Sequence, residues 1–140
     1  MAVEALVDTG AILAFLDADD QWHRACTEAM RRLGMPLLTS HAVLTEVMHL
    51  VGPRGARAAW RLVRLDAILL AEIPHVQLPA LESLMDRYDD RPMDYADATL
   101  VHLAERESLT TILTVDHDDF ETYRIAGRKR FRIVPGRERR

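Results

Sequence analysis

Four acidic residues, Asp8, Glu46, Asp97 and Asp116, are far apart in the sequence, yet each lies where a strand or a helix could direct it to one place. Carboxylates that share a pocket repel each other strongly unless a divalent cation lies among them. Hard cations prefer carboxylate oxygens, and Mg²⁺ is often shared between a few acids and a substrate phosphate. The four positions therefore predict a metal-dependent enzyme that acts on phosphates.

Glu46 is the acid that local structure explains least well. It lies beside the buried stripe of a predicted helix, which is formed by Val43, Val47 and Leu50. A carboxylate at such a border usually has a partner, because burying it unpaired is costly. No lysine or arginine lies at helical spacing from Glu46, so a metal ion is the partner that the sequence suggests.

The other three acids each have a simpler structural interpretation. Asp8 could cap the helix that follows it. Asp94 and Asp97 have the spacing of a capping motif, and an acid at the third helical position also suits the helix dipole. Asp116 opens an acidic cluster at 116–119 that is typical of a turn. Taken singly, these three acids do not require a pocket.

Short apolar runs alternate with longer amphipathic ones along the chain. The short runs predict strands at Val3–Val7, Leu37–Thr39, Val76–Leu78, Thr111–Val115 and Phe131–Ile133. The longer runs predict helices at Thr9–Leu16, Asp20–Leu33, Ser40 or His41 to Val51, Arg54–Ala71, Pro79–Tyr88 and Asp94–Arg106. This alternation indicates an α/β fold with a mainly parallel sheet covered on both faces. In such sheets ligands collect beyond the carboxyl ends of the strands, where Asp8 and Asp116 are expected.

Size and composition predict one domain in a reducing compartment. A chain of 140 residues with 49% hydrophobic residues can bury a core without disulfides. Cys26 is the only cysteine, which favours an intracellular setting. Neither a secretory signal nor an apolar stretch of membrane-spanning length is present, so we expect a soluble, cytoplasmic protein.

The charge is distributed unevenly. Positions 1–123 hold 10 basic and 21 acidic residues, whereas positions 124–140 hold 8 basic residues and 1 acidic residue. This basic end could contact nucleic-acid phosphates, or it could be a solubilising tail.

The run Asp8-Thr9-Gly10-Ala11 matches the signature of aspartic proteases. That chemistry requires the motif in a loop of an all-β domain, supplied twice. A helical run follows here at once, so we interpret the match as chance.

The acids and their neighbours resemble the motifs of PIN-domain nucleases, and among these the VapC-type toxins of toxin–antitoxin pairs. The resemblance extends from Val7 to about Pro135. Its four motifs occur in order at 7–11, Thr45-Glu46-Val47, 94–98 and 114–120. In the last of these, a threonine precedes the acid and a phenylalanine follows it. Gly10 is a small departure, since the family often carries serine or alanine there.

The resemblance implies a three-layer α-β-α fold with about five parallel strands, formed by residues 1–135 and followed by a short basic tail at 136–140. It also implies an endoribonuclease that hydrolyses RNA phosphodiester bonds with Mg²⁺ or Mn²⁺. The implied partners are RNA, a VapB-like antitoxin and a second copy in a homodimer, with no membrane. The alternative is a PIN-like module that binds RNA without cutting it.

In this interpretation Asp8, Asp97 and Asp116 are metal ligands, directly or through water. Glu46 orients a metal-bound water or ligates a second ion. The hydroxyls of Thr9 and Thr114 hold the carboxylates in place. Asp94 is a helix cap in preference to an auxiliary acid, and Asp119 faces solvent. The aromatic residues pack in preference to stacking on bases, at Trp22, Trp60 and Phe120.

Overall fold

A computed structural model describes residues 2–137 and shows an α/β domain. Seven strands are present, namely β1 (Leu6–Val7), β2 (Leu37–Ser40), β3 (Ile68–Ala71), β4 (Thr111–Leu113), β5 (Arg124–Ile125), β6 (Lys129–Arg130) and β7 (Arg132–Val134). The α-helices are α1 (Thr9–Leu16), α2 (His23–Leu33), α3 (His41–Leu50), α4 (Pro53–Arg64), α5 (Leu78–Arg87), α6 (Tyr95–Arg106) and α7 (His117–Thr122).

Five strands form the main sheet in the order β3-β2-β1-β4-β7, and every pairing is parallel. The central strand β1 aligns Leu6 with both Leu38 and Ile112 on its two sides. Parallel strands require crossover connections, and the helices that supply them flank the sheet. The predicted parallel α/β fold with five strands is therefore confirmed.

The core lies where β1 and β4 meet the helices. Leu6, Val7, Ile112 and Leu113 are fully buried, as expected for central strands that are covered on both faces. Because β1 and β4 are neighbours, the residues that follow them, Asp8 and Thr114, emerge side by side at the carboxyl edge of the sheet. In the part of the chain that the structure describes, no helix is long and apolar enough to span a bilayer.

The prediction of one helix from Arg54 to Ala71 is wrong. Helix α4 ends at Arg64, Asp66 adopts a left-handed backbone conformation with φ 59°, and β3 then pairs with β2. The apolar residues Ile68–Ala71 satisfy helical spacing as well as strand pairing, so periodicity alone could not separate the two elements.

The predicted strand at Val76–Leu78 is also wrong. Residues His75–Gln77 form a 3₁₀ turn, and α5 begins at Leu78 with Pro79 in its first turn. Proline is favoured at that position because it lacks the amide hydrogen that a helix start leaves unpaired. The sequence analysis also missed α7 and the two-stranded antiparallel hairpin formed by β5 and β6.

Candidate active site

Asp8 combines the two roles between which the sequence could not decide. Its side chain accepts a 2.7 Å hydrogen bond from the Thr9 amide at the start of α1. Its Oδ2 atom also accepts a 2.9 Å hydrogen bond from the Thr114 hydroxyl, which follows β4. Asp8 is only 7% exposed. It is therefore a helix cap and, at the same time, a buried acid at the edge of the sheet.

Asp97 reaches the same region from the first turn of α6. Its amide donates a 2.7 Å hydrogen bond to Asp94 Oδ1, so the predicted cap at Asp94 is confirmed. The Asp97 side chain is 8% exposed, and its Oδ2 atom accepts a 2.8 Å hydrogen bond from the Tyr123 hydroxyl. A fully buried phenol thus fixes one oxygen of this carboxylate.

Glu46 is held by a hydroxyl group. The Thr9 side chain donates a 2.8 Å hydrogen bond to Glu46 Oε1, which links α3 to the first residue of α1. The Glu46 side chain is half-buried and lines a cavity of about 360 Å³ together with Thr45, Asp94 and Tyr95. An open space large enough for several waters therefore lies against this acid.

Asp116 is the most exposed of the four acids. It caps the short helix α7 by accepting a 3.2 Å hydrogen bond from the Asp119 amide. Its own amide binds the Thr114 hydroxyl at 3.0 Å, so Thr114 connects Asp8 to Asp116. Asp119 does not simply face solvent as predicted, because it is half-buried and pairs with Arg91 at 3.2 Å.

The buried acids are electrostatically coupled. Burial and, to a smaller extent, the neighbouring Asp8 raise the pKa of Asp97 to about 8, although the Tyr123 hydrogen bond opposes the shift. Burial likewise raises the pKa of Asp8 to about 6, with smaller contributions from Asp116 and Glu46. Asp8 is therefore within electrostatic reach of each of the other three acids.

The oxygen donors at this edge suit a hard divalent cation such as Mg²⁺ or Mn²⁺. Among residues 2–137, no three acidic, histidine or cysteine side chains lie close enough together to hold a metal ion by themselves. Mg²⁺ does not require one, since it retains several waters and commonly takes only one or two carboxylates. The raised pKa values of the carboxyl groups also fit a divalent cation, because a cation would relieve the repulsion between carboxylates that contributes to these values.

Gly10 has a packing role at this edge. A Cβ atom at this position would lie 2.8 Å from Val115 Cγ2, closer than side chains normally approach. The absence of a side chain therefore lets the first turn of α1 lie close to the chain that follows β4. The departure from the family motif at Gly10 is accommodated by close packing.

Tyr123 is the site residue that the sequence analysis missed. The signal available was its position three residues after Phe120, within the element that follows the last acid motif. Phe120 packs edge-to-face on Tyr123 with ring centroids 5.2 Å apart, and it is fully buried as predicted. Trp22 also packs, against His117. Trp60 is 52% exposed, so the prediction that it packs is wrong.

Comparisons with known proteins agree with this geometry. The PIN domain family model matches residues 5–126. Ribonuclease VapC26 of Mycobacterium tuberculosis is 32% identical over 134 residues, which cover 93% of this chain and 99% of that protein. The chain therefore belongs to the PIN-domain family.

Two solved structures show the same fold. VapC20 of Mycobacterium tuberculosis, a toxin that cleaves the sarcin-ricin loop, superposes with a TM-score of 0.74 at 20% identity and covers 82% of this chain and 92% of its own. PAE2754 of Pyrobaculum aerophilum gives a TM-score of 0.53 at 23% identity, covering 96% of this chain and 91% of its own.

Proposed function

We propose that this protein is a metal-dependent endoribonuclease that hydrolyses RNA phosphodiester bonds in the cytoplasm, as the toxin of a toxin–antitoxin pair. The observation that carries the proposal is the arrangement of the acids at the carboxyl edge of a PIN-domain sheet, where Thr114 joins Asp8 to Asp116 and Thr9 joins Asp8 to Glu46. Asp97, the second buried acid, reaches the same edge from the first turn of α6. The relationship to Ribonuclease VapC26, which extends over nearly the whole chain, supports RNA as the substrate.

In this proposal Asp8 and Asp97, with Asp116, hold Mg²⁺ or Mn²⁺. When bound, the cation supplies a lowered pKa for the attacking water and neutralises charge on the phosphate in the transition state. Glu46 borders the open cavity and orients the water for in-line attack on phosphorus. No described histidine or cysteine is needed as a covalent nucleophile.

Hydroxyl groups keep the acids in place. Thr114 binds Asp8 and the backbone of Asp116, and Thr9 binds Glu46. Such hydrogen bonds orient carboxylates toward a shared ion. Asp94 contributes by fixing the first turn of α6, which sets the position of Asp97.

RNA cleavage by the purified protein tests the proposal. We expect cleavage with Mg²⁺ or Mn²⁺, none in EDTA, and loss of at least about 100-fold in Asp8→Asn or Asp97→Asn, because changes beside a metal site alone cost 10- to 100-fold. Full activity in Asp8→Asn or in EDTA would refute a metal nuclease. RNA binding without cleavage under every metal condition would support the alternative, a non-catalytic RNA-binding module.

The partners follow from the family relationship and are part of the same proposal. A VapB-like antitoxin covers the acidic edge of the sheet, and two copies of the chain form a homodimer. Co-purification with the product of a short neighbouring gene, and the molecular mass in solution by light scattering, test these two statements separately.

A further inference from the structure

Helix α4 carries four arginines on one face. Arg54, Arg57, Arg61 and Arg64 recur at intervals of three and four residues, which places them in a single row on a helix. We refer to this row as the arginine stripe. All four side chains are exposed, and none has an acidic partner among residues 2–137. The opposite face of α4, which includes Ala59, packs against the protein.

The stability of the helix accounts for only part of the stripe. Arg61 and Arg64 lie in the last turn, where the helix dipole favours cations, but Arg54 and Arg57 do not. Like charges three or four residues apart destabilise a helix. Arg54 and Arg57 also lie near the positive end of the helix dipole, where acidic residues would be favourable and none is present. A row of four neighbouring cations that repel each other, on a chain with net charge -4, indicates binding of a polyanion.

Trp60 extends this surface with an aromatic ring. It lies beside the stripe, three residues from Arg57 and four from Arg64, and it is 52% exposed. Exposed aromatic rings next to arginines form stacking platforms for the bases of single-stranded nucleic acid. Arginine also matches phosphate oxygens with two parallel hydrogen bonds, which lysine cannot do.

The dimensions fit a short stretch of RNA. Ten residues separate Arg54 from Arg64, so the stripe is about 15 Å long. A stacked strand advances about 3.4 Å per phosphate, and the stripe therefore faces about four phosphates. Glu46 lies only seven residues before Pro53, which puts the start of α4 within about 17 Å of the Glu46 backbone.

We propose that the arginine stripe and Trp60 form a binding surface for the RNA backbone that holds the substrate beside the acidic site. This inference rests on the proposed function. It also meets an electrostatic need, because an RNA phosphate must enter a pocket whose own carboxylates repel it. An acidic protein segment is the competing occupant, and the experiment below separates it from RNA.

RNA binding as a function of salt tests the surface in a cleavage-deficient Asp97→Asn background. We expect the double variant Arg57→Gln/Arg61→Gln to bind a single-stranded RNA probe more weakly and to lower the slope of log K against log salt by about 1.4, since each lost contact removes about 0.7. The matched control is Arg24→Gln/Arg32→Gln on α2, which removes the same charge from exposed arginines and is expected to keep the slope.

Trp60 provides a second test that does not depend on charge. Trp60→Ala is expected to weaken RNA binding about tenfold, whereas Trp60→Phe keeps most of the affinity because a stacking ring remains. Equal salt slopes in the two double variants, or unchanged binding in Trp60→Ala, would overturn the inference. If the variant Arg57→Gln/Arg61→Gln retained RNA binding but lost affinity for polyglutamate, the inference would also be overturned, in favour of an acidic protein partner.

The same measurements distinguish this inference from the proposed function. Should the wild-type protein cleave RNA with Mn²⁺ while the stripe variant binds RNA as the control does, the nuclease assignment stands and the binding surface is refuted. Should the stripe variant lose binding while the wild-type protein cleaves nothing, the surface stands and the nuclease assignment is refuted.

Discussion

The Tyr123 hydroxyl donates a 2.8 Å hydrogen bond to Asp97 Oδ2, and both groups are buried. Asp97 opens α6, whereas Tyr123 ends α7, so the contact joins two elements at the edge of the site. The Asp97 Oδ1 atom accepts no hydrogen bond from the described residues. The phenol therefore fixes the carboxylate through one oxygen and leaves the other available to a cation.

Tyr123→Phe is expected to weaken Mn²⁺ binding and to lower kcat/KM for RNA by about 10- to 100-fold, the usual cost of removing a group that orients a metal ligand. Loss of a hydrogen bond that favours the charged carboxylate also raises the pKa of Asp97 further. Metal affinity in the variant should therefore require a higher pH. Calorimetry with Mn²⁺ at several pH values measures both effects.

Tyr88→Phe is the matched control for this experiment. The Tyr88 hydroxyl accepts a 2.9 Å hydrogen bond from the Arg124 amide, and its ring packs edge-on against Tyr123. Removal of the Tyr88 hydroxyl costs a partly buried hydrogen bond beside Tyr123 but touches no acid. If both variants lost Mn²⁺ affinity equally, Tyr123 would be a packing residue only.

The metal-free protein is expected to lose stability as pH rises. Asp8 and Asp97 have folded-state pKa values of about 6 and about 8, whereas an unfolded aspartate titrates near 4. Between these values the folded state holds protons that the unfolded chain has released, so the free energy of unfolding falls with increasing pH. The favourable contribution is complete below about pH 4 and is lost as pH passes through 6 and 8.

Urea unfolding in EDTA between about pH 5 and pH 9 measures this dependence. We expect a decrease on the order of 2 kcal/mol or more, because each unit of pKa shift corresponds to about 1.4 kcal/mol. Asp97→Asn should flatten the curve and be the more stable protein at pH 9, since it carries no charge to repel Asp8. A metal-free stability that rises with pH would contradict the coupling between these acids.

Thr114 is expected to fix the position of Asp8 relative to Asp116. Its hydroxyl donates to Asp8 and accepts from the Asp116 amide, so Thr114→Val removes both contacts at nearly constant volume. We predict a 10- to 100-fold loss of RNA cleavage. Thr114→Ser should restore most of it, because the hydroxyl returns.

Thr111→Val, at the start of β4, is the control, since the Thr111 hydroxyl forms no hydrogen bond with any of the four acids among residues 2–137 and the residue is also buried. RNA cleavage and thermal unfolding of the three variants are measured together. A loss of cleavage that simply follows the loss of stability in all of them would argue against a positioning role for Thr114.

Three acids of the site could be predicted because each is tied to the end of a local element, and Glu46 because it lies beside a buried helical stripe without a basic partner. Asp8 and Asp116 follow apolar strands, and Asp97 opens a helix whose cap is visible in the sequence. Tyr123 could not be predicted in the same way. Its contact with Asp97 depends on how the chain between α7 and β5 lies against α6, and no local periodicity encodes that relationship.

Some strands of the fold could be predicted from the sequence, and others could not. Strands β1, β2 and β4 were predicted because their apolar runs are bounded by clear turn or cap residues. The sequence predicts the end of a helix where β3 lies, since Ile68–Ala71 fits both periods and only pairing with β2 decides between them. The exposure of Trp60 is likewise a tertiary property, because the face of α4 that packs inward is selected by its neighbours.

The basic tail at 136–140 is expected to contribute to RNA binding. Arg137 pairs with Asp118 and Glu121 on α7, so part of its charge is already used within the protein. Residues 138–140 of the predicted tail lie outside the described residues. We predict that truncation after Pro135 weakens RNA binding and lowers the salt slope by about 1 to 2, because three arginines and one glutamate are removed.

The effect of truncation could come from the charges of the last two arginines or from the loss of Arg137 and its ion pairs with α7. The double variant Arg139→Gln/Arg140→Gln separates these origins, since it removes the two charges and keeps Arg137. RNA binding in the Asp97→Asn background gives the slopes of both proteins. Equal reductions would assign the effect to phosphate contacts by the last two residues. A slope that stays at the wild-type value after truncation would show that the tail serves solubility alone, because a cation that touches phosphate must release counterions when it binds.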